Sequence, residues 1–503
     1  MLAWTIYISF LGVLVLMLLP SRSVRITRIL ALLTALAGFI VALNAFANQR
    51  TGELITITRV PWIPSLGIEY YLAADGISLT LVLLTGIVAI AGVLFSWNID
   101  YRAKEFFAFY LALIGGVYGV FLSFDLLLLF IFYEIAIIPK YFLIAIWGST
   151  RREYAAMKLA LYSFIGSAMV LIGLIAVYVY AGATTMDLSR LAQYPLPVHF
   201  QMWAFPLVFI GFGILAGLWP FHTWAPTGHV AAPTAASMLL AGVVMKLGAY
   251  GCLRVAMMLF PHGLDPWGFH FLGFGSWRDV FALLALIGIV YGAMVALVQK
   301  DFKFVIGYSS VSHMGFVLLG LMTLQQIGLN GAVLQMFSHG ILAGLLFAVV
   351  GRMVYDRTHT RDLSELETMH LGKVIPFAAA TFVIAGMASI GLPGFSGFVA
   401  ELQILIGAWR ANPSFAILAG LGIVIGIAYT WRAMQKAFFG SSAFTSSAAT
   451  HSVPPITVPE RIAAIFLIGV SVFVGLYPQI LLQIIIPALH SPMFDGLWKG
   501  RGR

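Results

Sequence analysis

Apolar residues run through this chain in long stretches separated by short polar joints, with little of the period-two alternation of a half-buried strand. Stretches of about 18 residues or more are long enough to cross a hydrocarbon core of roughly 30 Å as helices. The pattern predicts helices at about 2–20, 28–47, 77–97, 106–122, 125–147, 158–181, 203–218, 234–255, 280–298, 304–323, 331–351, 374–410, 414–438 and 461–485. The stretch 374–410 exceeds one crossing and is interrupted by GLPGFSG at 391–397, so it reads as two half-helices meeting at a break. A second half-helix runs into WPFHTWAPTGHVAAPT at 219–234. Gly and Pro free backbone groups that lipid cannot satisfy, so such breaks must be buried in protein or line a wet cavity. Two broken segments in the two halves of one chain point to inverted repeats. The expected fold class is an all-α polytopic membrane protein with about fourteen transmembrane helices.

Composition supports this. Of 503 residues, 61% are hydrophobic and 9% charged, against about 25% charged in a soluble domain. The first apolar run has no basic segment before it and no small-residue cleavage site after it, so it is expected to span rather than be removed. The single Cys252 leaves no internal disulfide and no cysteine-held cluster. A net charge of +9 suggests nucleic acid or anionic lipid as a partner, but the basic residues are spread over short loops rather than gathered in one patch. Their distribution orients the chain. With the first loop (Arg22, Arg25, Arg28) in the cytoplasm, cytoplasmic loops collect about 17 basic residues and the other side about nine. The larger group includes Arg102, Lys104, Arg151, Arg152, Lys300, Lys303, Arg352, Arg357 and Arg361. Both termini then fall on the outer side.

Once the loops are set aside, Asp125, Glu134, Lys140, Lys246, His313, His339 and Glu401 remain inside apolar runs. His222 and His229 lie by the first break, and Lys158 starts the sixth helix. A charge at bilayer centre costs roughly 3 to 10 kcal/mol. Singly, each group reads as a satisfied polar anchor. As a set on separate helices they are tolerable only if they face one another or water, which is what a proton relay needs. Burial raises a Glu and lowers a Lys, while pairing pushes each the other way. Making and breaking a pair therefore toggles proton affinity without a metal or nucleotide. The chain has no H-E-x-x-H, Walker loop or strand-borne G-x-G-x-x-G, and its acids are too scattered for a metal site. Ser309 and His313 stand four apart on one helix without an acid nearby in sequence, which argues against a nucleophile. HTRD at 359–362 reads as a solvated or partner-facing loop.

Several strings together resemble the M-type antiporter-like subunit (chain 4) of respiratory NADH:quinone oxidoreductase, complex I. They are FYEIAIIPKYFLIAIWG, WPFHTWAPTGH with APTAAS, LAGVVMKLGAYGCLR, KDFKFVIGYSSVSHMGFVLLG, QMFSHGILAGLLF, YDRTHTRDL and GLPGFSGFVAE, in the family's order between about 98 and 440. The resemblance implies fourteen helices with two inverted five-helix repeats, each holding one broken helix. The chain then divides into N-terminal helices 1–103, a first repeat 104–260, a second repeat 279–440, and a C-terminal helix and tail 441–503. It also implies a central axis of lysines, histidines and glutamates. In that axis Glu134 is the fifth-helix acid, Lys246 the eighth-helix lysine, and His313 and His339 the histidines of the second repeat. Glu401 is the terminal acid on the exit side, and Asp125 is an acid near the outer surface.

One departure stands out. The family usually reads G-F-x-[IV]-K-x-P before PFHTW, whereas this chain has GFGILAGLWPFHTW. Leu215 thus occupies the place of the lysine that pairs with Glu134, and Thr227 that of an acid. Lys140, where the family commonly has an apolar residue, is a candidate replacement. Six residues after Glu134 means about 9 Å of rise and roughly 240° of turn, with Pro139 between. Two readings stand: Lys140 supplies the missing positive charge, or it snorkels to the cytoplasmic surface.

The resemblance therefore implies a proton-translocating subunit. NADH, FMN, iron–sulfur clusters and quinone would be held by partner subunits, and no cofactor by this chain. Its partners would be antiporter-like neighbours on both sides and lipid, without nucleic acid, in a bacterial inner membrane. The alternatives are a cation/proton antiporter-type subunit of a related complex (a hydrogenase or inorganic-carbon uptake system) and a non-pumping structural spacer.

Overall fold

The computed structural model describes residues 1–18, 20, 23–49, 51–267, 274–440 and 453–498. Arg22 of the first loop and residues 441–452, which open the expected C-terminal unit, lie outside them.

Helices α1 (Trp4–Leu18) and α2 (Val24–Asn48) lead into an antiparallel hairpin, β1 (Ile55–Ile63) and β2 (Ile68–Ala74). No strand was expected in this otherwise helical fold. Its alternation is short and lies between two much stronger helical stretches. Its turn over Pro64–Leu66 closes on Gly67 at φ 63°, a left-handed value that suits glycine. Then come α3 (Gly76–Phe95), α4 (Ala103–Leu122), α5 (Leu126–Trp147) and α6 (Arg152–Tyr180). Helix α7 (Val198–Ala216) stops inside the bundle at Gly217, and the chain resumes as α8 (Trp224–Ala231). The long helices α9 (Thr234–Met257), α10 (Trp277–Val298), α11 (Phe302–Met322) and α12 (Gln326–Thr358) follow. A second interruption, through Gly391 and Gly394, separates α13 (Pro376–Ser389) from α14 (Ser396–Ala411). Then come α15 (Pro413–Phe438), α16 (Val458–Leu476) and α17 (Gln479–Leu489). The single helix expected at 461–485 is divided: Tyr477 leaves helical geometry (φ −130°, ψ 64°), as residues before a proline tend to, and α17 begins after Pro478.

Among the described residues twelve helices are long and apolar enough to cross a membrane, taking α7 and α8 as one; α1 and α13 are shorter. Helices α3, α9 and α12 are buried along their length, whereas α2, α15 and α16 expose most of theirs. Aspartates start several helices: Asp75 accepts from Ser78 N–H at 2.9 Å and Asp301 from Lys303 N–H at 2.8 Å, satisfying donors a helix start leaves free. Where α9 crosses α12, a Cβ on Gly340 would stand 2.6 Å from the Gly242 carbonyl oxygen. Glycine is what permits this backbone approach. Both helices also carry wide π turns, at Leu240–Val244 and Cys252–Met257 in α9 and at Val349–Tyr355 in α12.

Several bases assigned to loops are inside. Lys303 and Arg357 are buried; Arg352 and Arg357 both hold Glu460, at 2.5 and 2.6 Å. The HTRD segment is not a free loop either. Arg361 pairs with Asp301 at 3.2 Å and donates to the Val230 carbonyl at 3.0 Å. It ties α11 to the end of α8.

Candidate functional site

Lys246 sits midway along α9, one turn past the Gly242 crossing, and His339 precedes Gly340 on α12. The close crossing brings Lys246 Nζ to 2.9 Å from His339 Nδ1; the amine also donates to the Ala241 carbonyl. A lysine ammonium can only donate, so here Nδ1 accepts; a neutral amine can receive a proton from the ring instead. The His313 ring from α11 stacks on His339, centroids 5.4 Å apart and planes at 26°. His313 Nδ1 lies 3.1 Å from Glu401 Oε1 on α14, and Gln335 Nε2 donates to the same oxygen at 3.2 Å. Ser389, at the end of α13, meets His313 Nε2 at 3.1 Å. The break between α13 and α14 thus presents Ser389 and Glu401 to one histidine. Lys246, His339, His313 and Glu401 form one line of buried contacts through four helices.

An acid does orient His313, contrary to what its sequence neighbourhood suggested, but it comes from α14. Ser309 turns away to the Tyr429 hydroxyl at 2.7 Å, so it is not the partner of His313.

Glu134 and Lys140 are close enough to interact electrostatically. Lys140 is 1% exposed, so its amine does not reach the surface, and neither its Nζ nor Glu134 Oε1 has a hydrogen-bond partner among the described residues. Pro139 sits inside α5 without ending it. Helix α7 carries no lysine or arginine, and Leu215 is packed in apolar surroundings at 1% exposure. No hydrogen bond among the described residues joins Glu134 or Lys140 to the Lys246–Glu401 line.

Two expected members stand apart from this line. Asp125 is buried at the hairpin end of α5; it caps α5 through Leu127 and Leu128 N–H at 3.0 and 3.1 Å and accepts from Glu69 N–H of the hairpin at 3.0 Å. Burial raises its carboxyl, and these three donors pull it back down. That is a fastening role, since every donor is backbone. His222 is buried beside the Tyr291 and Tyr308 rings, at 5.3 and 6.4 Å, without a hydrogen bond to either ring nitrogen.

Buried charges near helix ends escaped the sequence reading. Asp75 and Arg254 meet at 2.5 Å with both side chains fully buried, enclosed by Phe124, Tyr250 and Phe494. Lys303 sends its amine inward to the Ala232 and Val230 carbonyls, at 2.7 and 3.3 Å, which have no partner within their own helix where α8 ends. One local clue existed: a cation in a helix's first turn opposes the helix dipole, so its partner must lie outside that helix.

No group of three His, Cys, Asp or Glu able to hold a metal occurs among the described residues. The buried polar atoms without partners (Glu134 Oε1, Lys140 Nζ, His339 Nε2 and the ring nitrogens of His222 and His229) would each cost about 1–3 kcal/mol if left dry. Water bridging is the ordinary remedy for such atoms.

Residues 123–426 match the family model described as NADH:quinone oxidoreductase/Mrp antiporter, TM. The chain is 34% identical over 488 residues to an NAD(P)H-quinone oxidoreductase chain 4 of Synechococcus elongatus, covering 95% of this chain and 89% of that one. It is 35% identical over 439 residues to NADH-quinone oxidoreductase subunit M of Rhodobacter capsulatus, covering 85% and 82%. A chain of respiratory complex I from Thermus thermophilus superposes with a TM-score of 0.87 at 27% identity, covering 99% of this chain and all of that one.

Proposed function

Because the chain belongs to the NADH:quinone oxidoreductase/Mrp antiporter membrane family, we propose that it is the proton-translocating membrane-arm subunit of a complex I-type NADH:quinone oxidoreductase. The observation that carries the proposal is the line Lys246–His339–His313–Glu401, an amine, two imidazoles and a carboxylate in succession across the bundle. Each neighbour can take a proton as the other releases it. The relatives named as quinone oxidoreductase chains favour this over an antiporter-type subunit of a related complex.

In this reading a proton on Lys246 passes to His339, then to His313, and leaves from Glu401 toward the hairpin face. Glu134 and Lys140 form a separate couple whose charge state reaches Lys246 through space and water rather than by contact. NADH, flavin, iron–sulfur clusters and quinone belong to partner subunits, and antiporter-like neighbours flank this one in a bacterial inner membrane. The basic loops opposite the hairpin support a cytoplasmic position for that face, with both termini outside.

The test is Glu401→Gln in the intact complex, reconstituted into sealed vesicles. Protons translocated per NADH oxidised are expected to fall, because the last group of the line can no longer release one. A wild-type ratio would overturn the assignment.

A further inference from the structure

We propose that the seam between the two halves of the chain, on the face opposite the hairpin, is the port by which protons enter, with Lys303 as its loading group. This rests on reading the chain as a proton-translocating subunit and specifies where its line is fed.

A cavity of about 340 Å³ opens there between the ends of α3, α5, α9, α11 and α12, with Ser96, Ser149, Thr234, Lys303, Asp356 and His359 on its walls. One water occupies about 30 Å³ of liquid, so several fit. Lys303 stands at the inner side of this space, 3% exposed. Its amine gives two bonds to the Val230 and Ala232 carbonyls. An ammonium has three N–H groups, which leaves one for the cavity. The charges around it are Asp301 at the start of α11, Asp356 on α12 and Arg361 from the following segment, and Arg352 and His359 also line the cavity.

Behind Lys303 lies His229, adjacent to Val230. It is fully buried, packed against Phe347 at 4.9 Å, and neither ring nitrogen has a hydrogen-bond partner. It is within electrostatic reach of Lys303 on one side and of Lys246 and His339 on the other. The steps balance simply. A hydronium in the cavity water protonates the neutral Lys303 amine and is left as water; the ammonium so formed gives the proton to one His229 nitrogen, directly or through a water. The imidazolium releases the proton on its other nitrogen to the Lys246 amine and is left as the opposite neutral tautomer, which a ring flip resets before the next proton. With Leu215 apolar, this route needs no charge on α7.

A plain cap for the end of α8 would explain the two carbonyl bonds but neither the third N–H nor the orphaned histidine. Lys303→Arg separates these roles. Arginine keeps the cation for the carbonyls but does not give up its proton in a protein. In the whole complex in sealed vesicles, protons moved per NADH oxidised should fall by this chain's share; a normal ratio, arginine rescuing the cap, overturns the proposal. Should that variant fail to assemble, Asn98→Trp decides. Asn98 is exposed on the rim of the cavity, so a tryptophan there should slow translocation several-fold, and unchanged translocation overturns the port. Glu401→Gln is assayed alongside. If it alone stops translocation, only the port fails; if neither variant has an effect, the pump reading itself fails.

Discussion

At the scale of single residues, Lys140 and Glu134 set the sharpest question. A buried amine without a hydrogen-bond partner stands within electrostatic reach of a half-buried carboxylate whose Oε1 has none. Removing the amine leaves Glu134 with no cation in reach from α7, so the couple loses its charge partner. Lys140→Met is therefore expected to lower translocation severalfold in vesicles of the intact complex; unchanged translocation would reduce Lys140 to a packing residue. Glu134, Lys140, Lys246, His313, His339 and Glu401 were legible as a set because each sits deep inside an apolar run. Lys303, Arg254 and Asp75 were not, because each lies within about a turn of a helix end. There a charged side chain can point to water or fold inward, and the local sequence is the same in both cases. His229 was visible, but nothing local told that its ring would lie within electrostatic reach of two lysines.

At the scale of elements, the contact that matters most depends on two residues without side chains. Gly242 and Gly340 let α9 and α12 touch backbone to backbone, and the functional pair lies beside that crossing. Gly340→Leu must push the helices apart, since even a Cβ would stand 2.7 Å from Leu84 as well as 2.6 Å from the Gly242 oxygen. Its expected outcome is a complex that still assembles in part, with the Lys246–His339 contact opened beyond hydrogen-bond distance in its structure and translocation largely lost. An intact contact would show that the crossing does not set it. The two broken helices could be read directly from Gly and Pro. The hairpin and the bend at Tyr477 could not be, because one rests on a short polar alternation and the other on a lone Pro478.

At the scale of the whole molecule, one fastening recurs on opposite faces. On the hairpin face, Leu126 N–H bonds Met186 C=O and Leu188 N–H bonds Phe124 C=O, at 2.8 and 2.9 Å. On the other face, Phe302 and Arg361 repeat the first bond and Leu363 and Lys300 the second, at 2.8 and 2.9 Å. In each case two aspartates, Asp125 with Asp187 and Asp301 with Asp362, form the bridge and cap the helices that follow. The orientation has a direct check. Cys252 is buried, so Ser65→Cys in the exposed hairpin turn gives one accessible thiol. A membrane-impermeant maleimide should label it from outside intact cells; labelling only from the cytoplasmic side of inverted vesicles would reverse the topology.

The sequence by itself determined the lipid-crossing helices, the two interruptions and the presence of costly charges at depth. The reason is that hydrocarbon tests each segment separately: a stretch either satisfies its own backbone and hides its charges or it does not. Which charges meet was decided only by the tertiary structure. Lys246 and His339 are 93 positions apart, and their contact exists because two glycines at a crossing, not the residues in contact, fix how near the helices come. The same holds for every base at a helix end, whose direction is set by whatever the neighbouring helices leave unpaired.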